Sequence, residues 1–74
     1  MKIFLIKHNK YNLDMNLAHV IVANTISEVR ALAANKAADE GELVWKRSAK
    51  VQEIGEYTGN EIKPFILMTE NTFS

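Results

Sequence analysis

Two histidines, a single tryptophan and a short basic run carry most of the chemistry this chain could perform. His8 and His19 sit near the ends of two apolar stretches, and if those stretches pair as antiparallel strands the imidazoles come close enough to share a metal ion. A zinc site takes at least three protein ligands, held in place by further hydrogen bonds. The sequence offers two histidines and no cysteine, so the pair reads as satisfied surface histidines and no metal or other cofactor is assigned. Nucleophilic catalysis would draw on Ser27, Ser48, Ser74 or a threonine together with one of the histidines. No glycine-flanked serine elbow supports it, and so short a chain can hardly enclose a substrate pocket of several hundred Å³. The reading is of a protein that is not an enzyme.

Trp45, Lys46 and Arg47, with Lys50 close behind, form the densest basic cluster and include an aromatic. Proteins that stack on bases while neutralising phosphates use this combination. Lys2, Lys7 and Lys10 would extend the patch if the first and third strands are neighbours, whereas Glu53 and Glu56 would interrupt it. RNA or nucleotide binding through Trp45 and its basic neighbours is therefore an alternative reading. In a plainer one, Trp45 seals the open end of the core and the cations are solvated. Acidic residues gather at Asp39, Glu40 and Glu42 and at Glu53, Glu56 and Glu61. Separate basic and acidic patches within a neutral total suit oriented docking to a protein better than binding of a general polyanion. Protein interfaces anchor on aromatic and Arg side chains. The candidate partner-binding residues are thus Tyr11, Trp45, Arg47 and Tyr57 with the adjacent Lys46, and Trp45 comes first.

One small domain, residues 1–74, must position these groups. The chain has 9 Lys+Arg against 9 Asp+Glu, 47% hydrophobic residues, one proline and three glycines. That is globular rather than disordered composition. A domain this short buries only about 60% of the surface its unfolded chain exposes, and without cysteine neither a disulfide nor a thiolate metal site can reinforce it. Association between chains is the reinforcement that remains, so a homodimer is expected. Zero net charge and a pI near 6.7 provide no long-range attraction for nucleic acid. No apolar run approaches the ~20 residues of a membrane span, and Lys7 and His8 break the opening apolar run before a signal-peptide core forms. A cytoplasmic location is expected, with no membrane partner.

Residues 2–8 place Ile3 and Leu5 on one face and Phe4 and Ile6 on the other, which suits a central strand covered on both sides. The Asn-rich stretch 9–16 reads as a loop, and the β-branched run 17–24 as a second strand returning antiparallel. Thr25 followed by Glu28 is a capping box. The spacing of Ile26, Val29, Leu32, Ala33 and Ala37 then predicts a helix over 26–39, with Gly41 as its left-handed stop. Residues 42–48 are either a short strand or a connection anchored by Trp45. A third strand over 49–57 needs a bulge near Glu53 or Gly55, because Val51 and Ile54 are three apart. Turn chemistry at 58–61 precedes a fourth strand over 63–69, with Pro64 near its start, and 71–74 reads as a loose tail. The predicted class is α+β: a ββαββ domain whose four-stranded antiparallel sheet, in the order 2-1-3-4, carries one helix on one face. Phe4, Ile6 and part of Phe65, Leu67 and Tyr57 are expected to face outward, so that a homodimer would form through that face or by edge pairing.

A resemblance extends this reading. The opening strand Lys2-Ile3-Phe4-Leu5-Ile6, the loop residues Tyr11 and Asp14, and the run Val20-Ile21-Val22-Ala23-Asn24-Thr25 leading into Glu28 and Arg30 are part of it. The lone Trp45, the segment Val51-Gln52-Glu53-Ile54-Gly55-Glu56 and an apolar closing strand ending near Phe73 complete it. Over nearly its full length the chain resembles small bacteriophage- and prophage-encoded proteins of ββαββ type. It departs from them in its Asn-rich loop and in Glu61-Ile62-Lys63-Pro64, which replaces a shorter glycine-containing turn. The resemblance carries over no catalytic residue. It implies a protein that binds a host protein and inhibits or adapts it, components of CRISPR and other defence systems included. The functional expectation is a non-enzymatic interaction module acting on a host protein in the host cytoplasm, with RNA binding and a structural homodimer as alternatives.

Overall fold

The computed structural model describes residues 1–10 and 14–73. Its elements are β1 (Lys2–Lys7), β2 (Asn16–Ala23), α1 (Ile26–Asn35), a π-helical turn (Val44–Ser48), β3 (Lys50–Glu56) and β4 (Phe65–Asn71). The strands form one antiparallel sheet in the order β3-β1-β2-β4, with α1 on one face. This is the expected α+β class. β1 lies between β2 and β3 as the sequence suggests, but β4, expected beside β3, pairs with β2 at the opposite edge. Residues 57–64 carry the chain across the sheet, about three strand spacings or ~14 Å, which is well within their reach. No helix among the described residues is long and apolar enough to cross a membrane.

Register sorts the side chains into rows. Beneath α1 one row contains Val51, Ile6, His19 and Thr69, and the next Glu53, Phe4, Ile21 and Ile66. Phe4, Ile6, Ile21 and Ala23 pack there against Val29, Ala33, Ala34 and Trp45. Each large apolar side chain so buried contributes about 1.5–3 kcal/mol. Phe4 and Ile6, expected to face outward, are therefore core residues, and Ile3 and Leu5 lie on the uncovered face instead. Both alternating sets of β1 are apolar, so strand register and the hand of the crossover decide which set meets the helix.

The capping box of α1 is present: Thr25 Oγ1 accepts from the Glu28 amide at 3.2 Å, and Glu28 Oε1 accepts from the Thr25 amide at 3.2 Å and the Asn24 amide at 2.8 Å. The helix ends at Asn35, short of the expected 39. One tertiary and one local hydrogen bond end it, since the Lys36 carbonyl accepts from Asn16 Nδ2 at 2.8 Å and the Ala38 amide donates to Glu40 Oε1 at 3.2 Å. Those backbone groups would otherwise continue the helical ladder. Gly41 does adopt a left-handed φ of 84°, but in the turn beyond the helix. Ile26, placed on the buried stripe by its spacing, is 51% exposed, and Leu32 is half-buried. The β3 bulge falls at Ile54, with Ile3 opposite Gly55 and Phe4 opposite Glu53. Asn71, assigned to the loose tail, belongs to β4, and the Thr72 amide donates to the Met15 carbonyl at 2.9 Å.

Candidate functional site

The π-helical turn closes through the Ala49 amide, which donates to the Val44 carbonyl at 2.8 Å, and Arg30 Nη1 ties it to α1 by donating to the Trp45 carbonyl at 2.9 Å. Trp45 is thereby turned into the core and is 0% exposed. Its indole N–H donates to Glu40 Oε2 at 2.7 Å, while Glu40 Oε1 accepts from the amides of Asn16 at 3.0 Å and Ala38 at 3.2 Å. The two histidines, expected at the surface, are instead buried because they flank the indole, His8 edge-on at 4.9 Å and His19 tilted at 4.8 Å between ring centroids. His8 Nδ1 accepts from the Lys10 amide at 3.1 Å, which puts the ring proton on Nε2, where it donates to the Asn16 carbonyl at 2.6 Å. His19 Nδ1 is hydrogen-bonded to Thr69 Oγ1 at 2.8 Å, and its Nε2 is buried with no partner among the described residues.

Burial alone would raise the Glu40 carboxyl, but the hydrogen bonds from the Trp45 indole and from the amides of Glu40 itself, Asn16 and Ala38 outweigh it and hold the group below its ordinary 4.5. Burial is the main reason His19 lies below its ordinary 6.5; Glu40 opposes the shift, while Lys36 and His8 add to it. A carboxylate this well bonded can be buried without the penalty of an unpaired charge. The cluster therefore builds a hydrogen-bonded polar core around Trp45. The described residues include no group of three His, Cys, Asp or Glu placed to hold a metal ion, and the backbone occupies both ring nitrogens of His8.

The sequence-predicted site residues are not brought together. Trp45, first among the expected surface anchors, is wholly internal, because the core supplies its N–H with a carboxylate partner and its ring with apolar contacts. Lys46 and Arg47 are exposed on the turn beside α1, and Lys46 pairs with Glu42 at 3.2 Å. Tyr57 is half-buried across the sheet, its ring 5.5 Å from that of Phe65 and its hydroxyl accepting from the Glu61 amide at 3.1 Å. Tyr11 lies outside the described residues.

The surface that stands out is the sheet face without a helix. Its rows, in strand order, are Lys50, Lys7, Ala18 and Glu70; Gln52, Leu5, Val20 and Met68; and Gly55, Ile3, Val22 and Phe65. The aromatic pair of Tyr57 and Phe65 closes the last of these, and Val22 is fully buried. The other two rows remain open. Leu5 and Val20 are half-buried and Met68 is 66% exposed. They line a shallow hollow of ≈ 260 Å³ together with Lys7, Ala18 and Glu70, and a neighbouring one of ≈ 250 Å³ runs between Leu5, Lys7, Lys50 and Gln52. Lys7, Lys50 and Glu70 make no ion pair among the described residues. Alternation carries only part of a signal for this face: Lys7 shares parity with Ile3 and Leu5 and Glu70 with Met68, but Lys2 shares parity with the buried Phe4 and Ile6. No protein-family model, no curated protein and no solved structure matches the chain.

Proposed function

We propose that this chain is a non-enzymatic protein-interaction module that docks a polypeptide partner on the uncovered face of its sheet. One observation carries the reading. Leu5, Val20 and Met68 form an apolar row, and the adjoining row at one end of the strands carries Lys50 and Lys7 toward one sheet edge and Glu70 at the other, an apolar patch with a charged border as at protein interfaces. The resemblance to phage-encoded proteins supports a host protein as the target, inhibited or adapted by binding in the host cytoplasm. RNA binding through Trp45 needs an indole free to stack on bases, and this one is enclosed.

The test compares two surfaces of the folded protein. Met68→Glu places a charge at the β4 end of the apolar row, at an exposed position where stability changes by no more than about 0.5 kcal/mol. Lys46→Ala/Arg47→Ala alters the turn instead. The expected result is a stoichiometric host protein held by the parent and by the turn variant and lost by Met68→Glu. A partner that Met68→Glu retains, or nucleic acid in place of a protein, overturns the proposal.

A further inference from the structure

We infer that the uncovered face also receives a second copy of this chain, the two sheets packing face to face about a two-fold axis parallel to the strands. The inference rests on the reading of this face as the docking surface and names an occupant for it. What points to a second copy is the placement of charge. In the strand order β3, β1, β2, β4 the end row reads Lys50, Lys7, Ala18, Glu70. Its positive half lies on one pair of strands and its negative group on the other.

A two-fold axis running along the strands, midway between β1 and β2, lays β3 of one copy over β4 of the other and β1 over β2. Each row then stands opposite itself. Lys50 faces Glu70 of the second copy, and Lys7 stands over Ala18, whose small side chain leaves the lysine stem room to lean toward the same carboxylate. Symmetry makes each contact twice. In the next row Leu5 meets Val20 and Met68 lies beside Gln52. Sheets packed in this aligned way sit about 10 Å apart, a gap that lysine and glutamate side chains can bridge between them. An axis across the strands would instead set the lysines and Glu70 over the end closed by Tyr57 and Phe65, with no opposite charge to meet.

The size of the face sets the strength. Four strands span roughly 19 Å and the open rows about 14 Å along them, so the pair buries less than the ~1,200–2,000 Å² of stable complexes. Such a dimer depends on concentration and yields to a tighter partner, and a target and the second copy compete for one surface.

Light scattering of the full chain from ~10 μM to ~1 mM, the range of weak association, tests this. The expected mass rises from 8.4 kDa toward twice that value. Glu70→Lys alone, and Lys7→Glu/Lys50→Glu alone, should stay monomeric over that range, with circular dichroism confirming that each folds. An equimolar mixture of the two variants should dimerise again, because every contact once more joins opposite signs. A dimer that survives each charge reversal, or a mixture that stays monomeric, overturns the geometry. A parent that remains monomeric while Met68→Glu still loses its target removes the second copy and leaves the docking reading intact. A monomeric parent together with a Met68→Glu variant that keeps its target removes both.

Discussion

The Trp45 indole and the Glu40 carboxylate meet at 2.7 Å with both side chains buried, and through Glu40 this contact reaches the amides of Asn16 at the start of β2 and Ala38 beyond α1. Glu40→Gln keeps the shape but only one accepting oxygen, so either the indole N–H or the two amides face an amide donor. A stability loss of about 2–3 kcal/mol is expected, read from urea unfolding followed by circular dichroism. A Gln variant as stable as the parent would show that the charge of Glu40 contributes nothing.

Stability should fall with acid in two stages. His19 has a lowered pKa in the fold, so below its ordinary 6.5 the unfolded chain binds protons that the folded chain does not, and stability declines until the folded pKa is passed. Glu40 is also lowered; its contribution is present above its ordinary 4.5 and is lost as pH drops through the folded value. Urea midpoints measured from pH 8 to pH 3 check the order. His19→Gln should flatten the first decline and leave the second.

Helix substitutions should rank by burial rather than by spacing. Val29 is fully buried whereas Leu32 is half-buried, so Val29→Ala should cost about 2 kcal/mol and Leu32→Ala about the same or less, despite its larger lost volume. Thr25→Ala should cost about 1 kcal/mol through the capping box. Thermal melts of the three variants decide the ranking.

Trp45→Ala removes the largest fully buried side chain. The expected loss is about 3–5 kcal/mol, comparable with the whole stability of a domain this size, so the variant should be largely unfolded by circular dichroism. Lys46→Ala and Arg47→Ala, at exposed positions, should change stability by no more than about 0.5 kcal/mol. The parent's tryptophan fluorescence should resist a soluble quencher until the chain unfolds.

Local chemistry was legible wherever a few consecutive residues act on one another. The capping box is written in Thr25 and Glu28, and the bulge follows from Val51 and Ile54 being three apart in a strand that must pair with β1. The end of α1 was hidden, because Asn16 claims the Lys36 carbonyl from across the fold and Glu40, held in place by Trp45 and Asn16, takes the Ala38 amide. Trp45 misled for a related reason: its basic neighbours suggested a surface, while the carboxylate that bonds it inside, Glu40, lies in an acidic cluster that read as a docking patch.

The sequence by itself determined the element order, the antiparallel hairpin, the helix start and the α+β class, since each follows from side-chain periodicity and backbone chemistry over a few residues. Only the tertiary structure decided that β4 joins β2 rather than β3, that Phe4 and Ile6 rather than Ile3 and Leu5 lie beneath the helix, and that Leu5, Val20 and Met68 remain uncovered. The physical reason is that strand edges pair through backbone groups identical at every residue. When both faces of a strand are apolar, alternation supplies two equivalent faces, and the choice between them falls to the register of the neighbouring strands and the side on which the crossover places the helix.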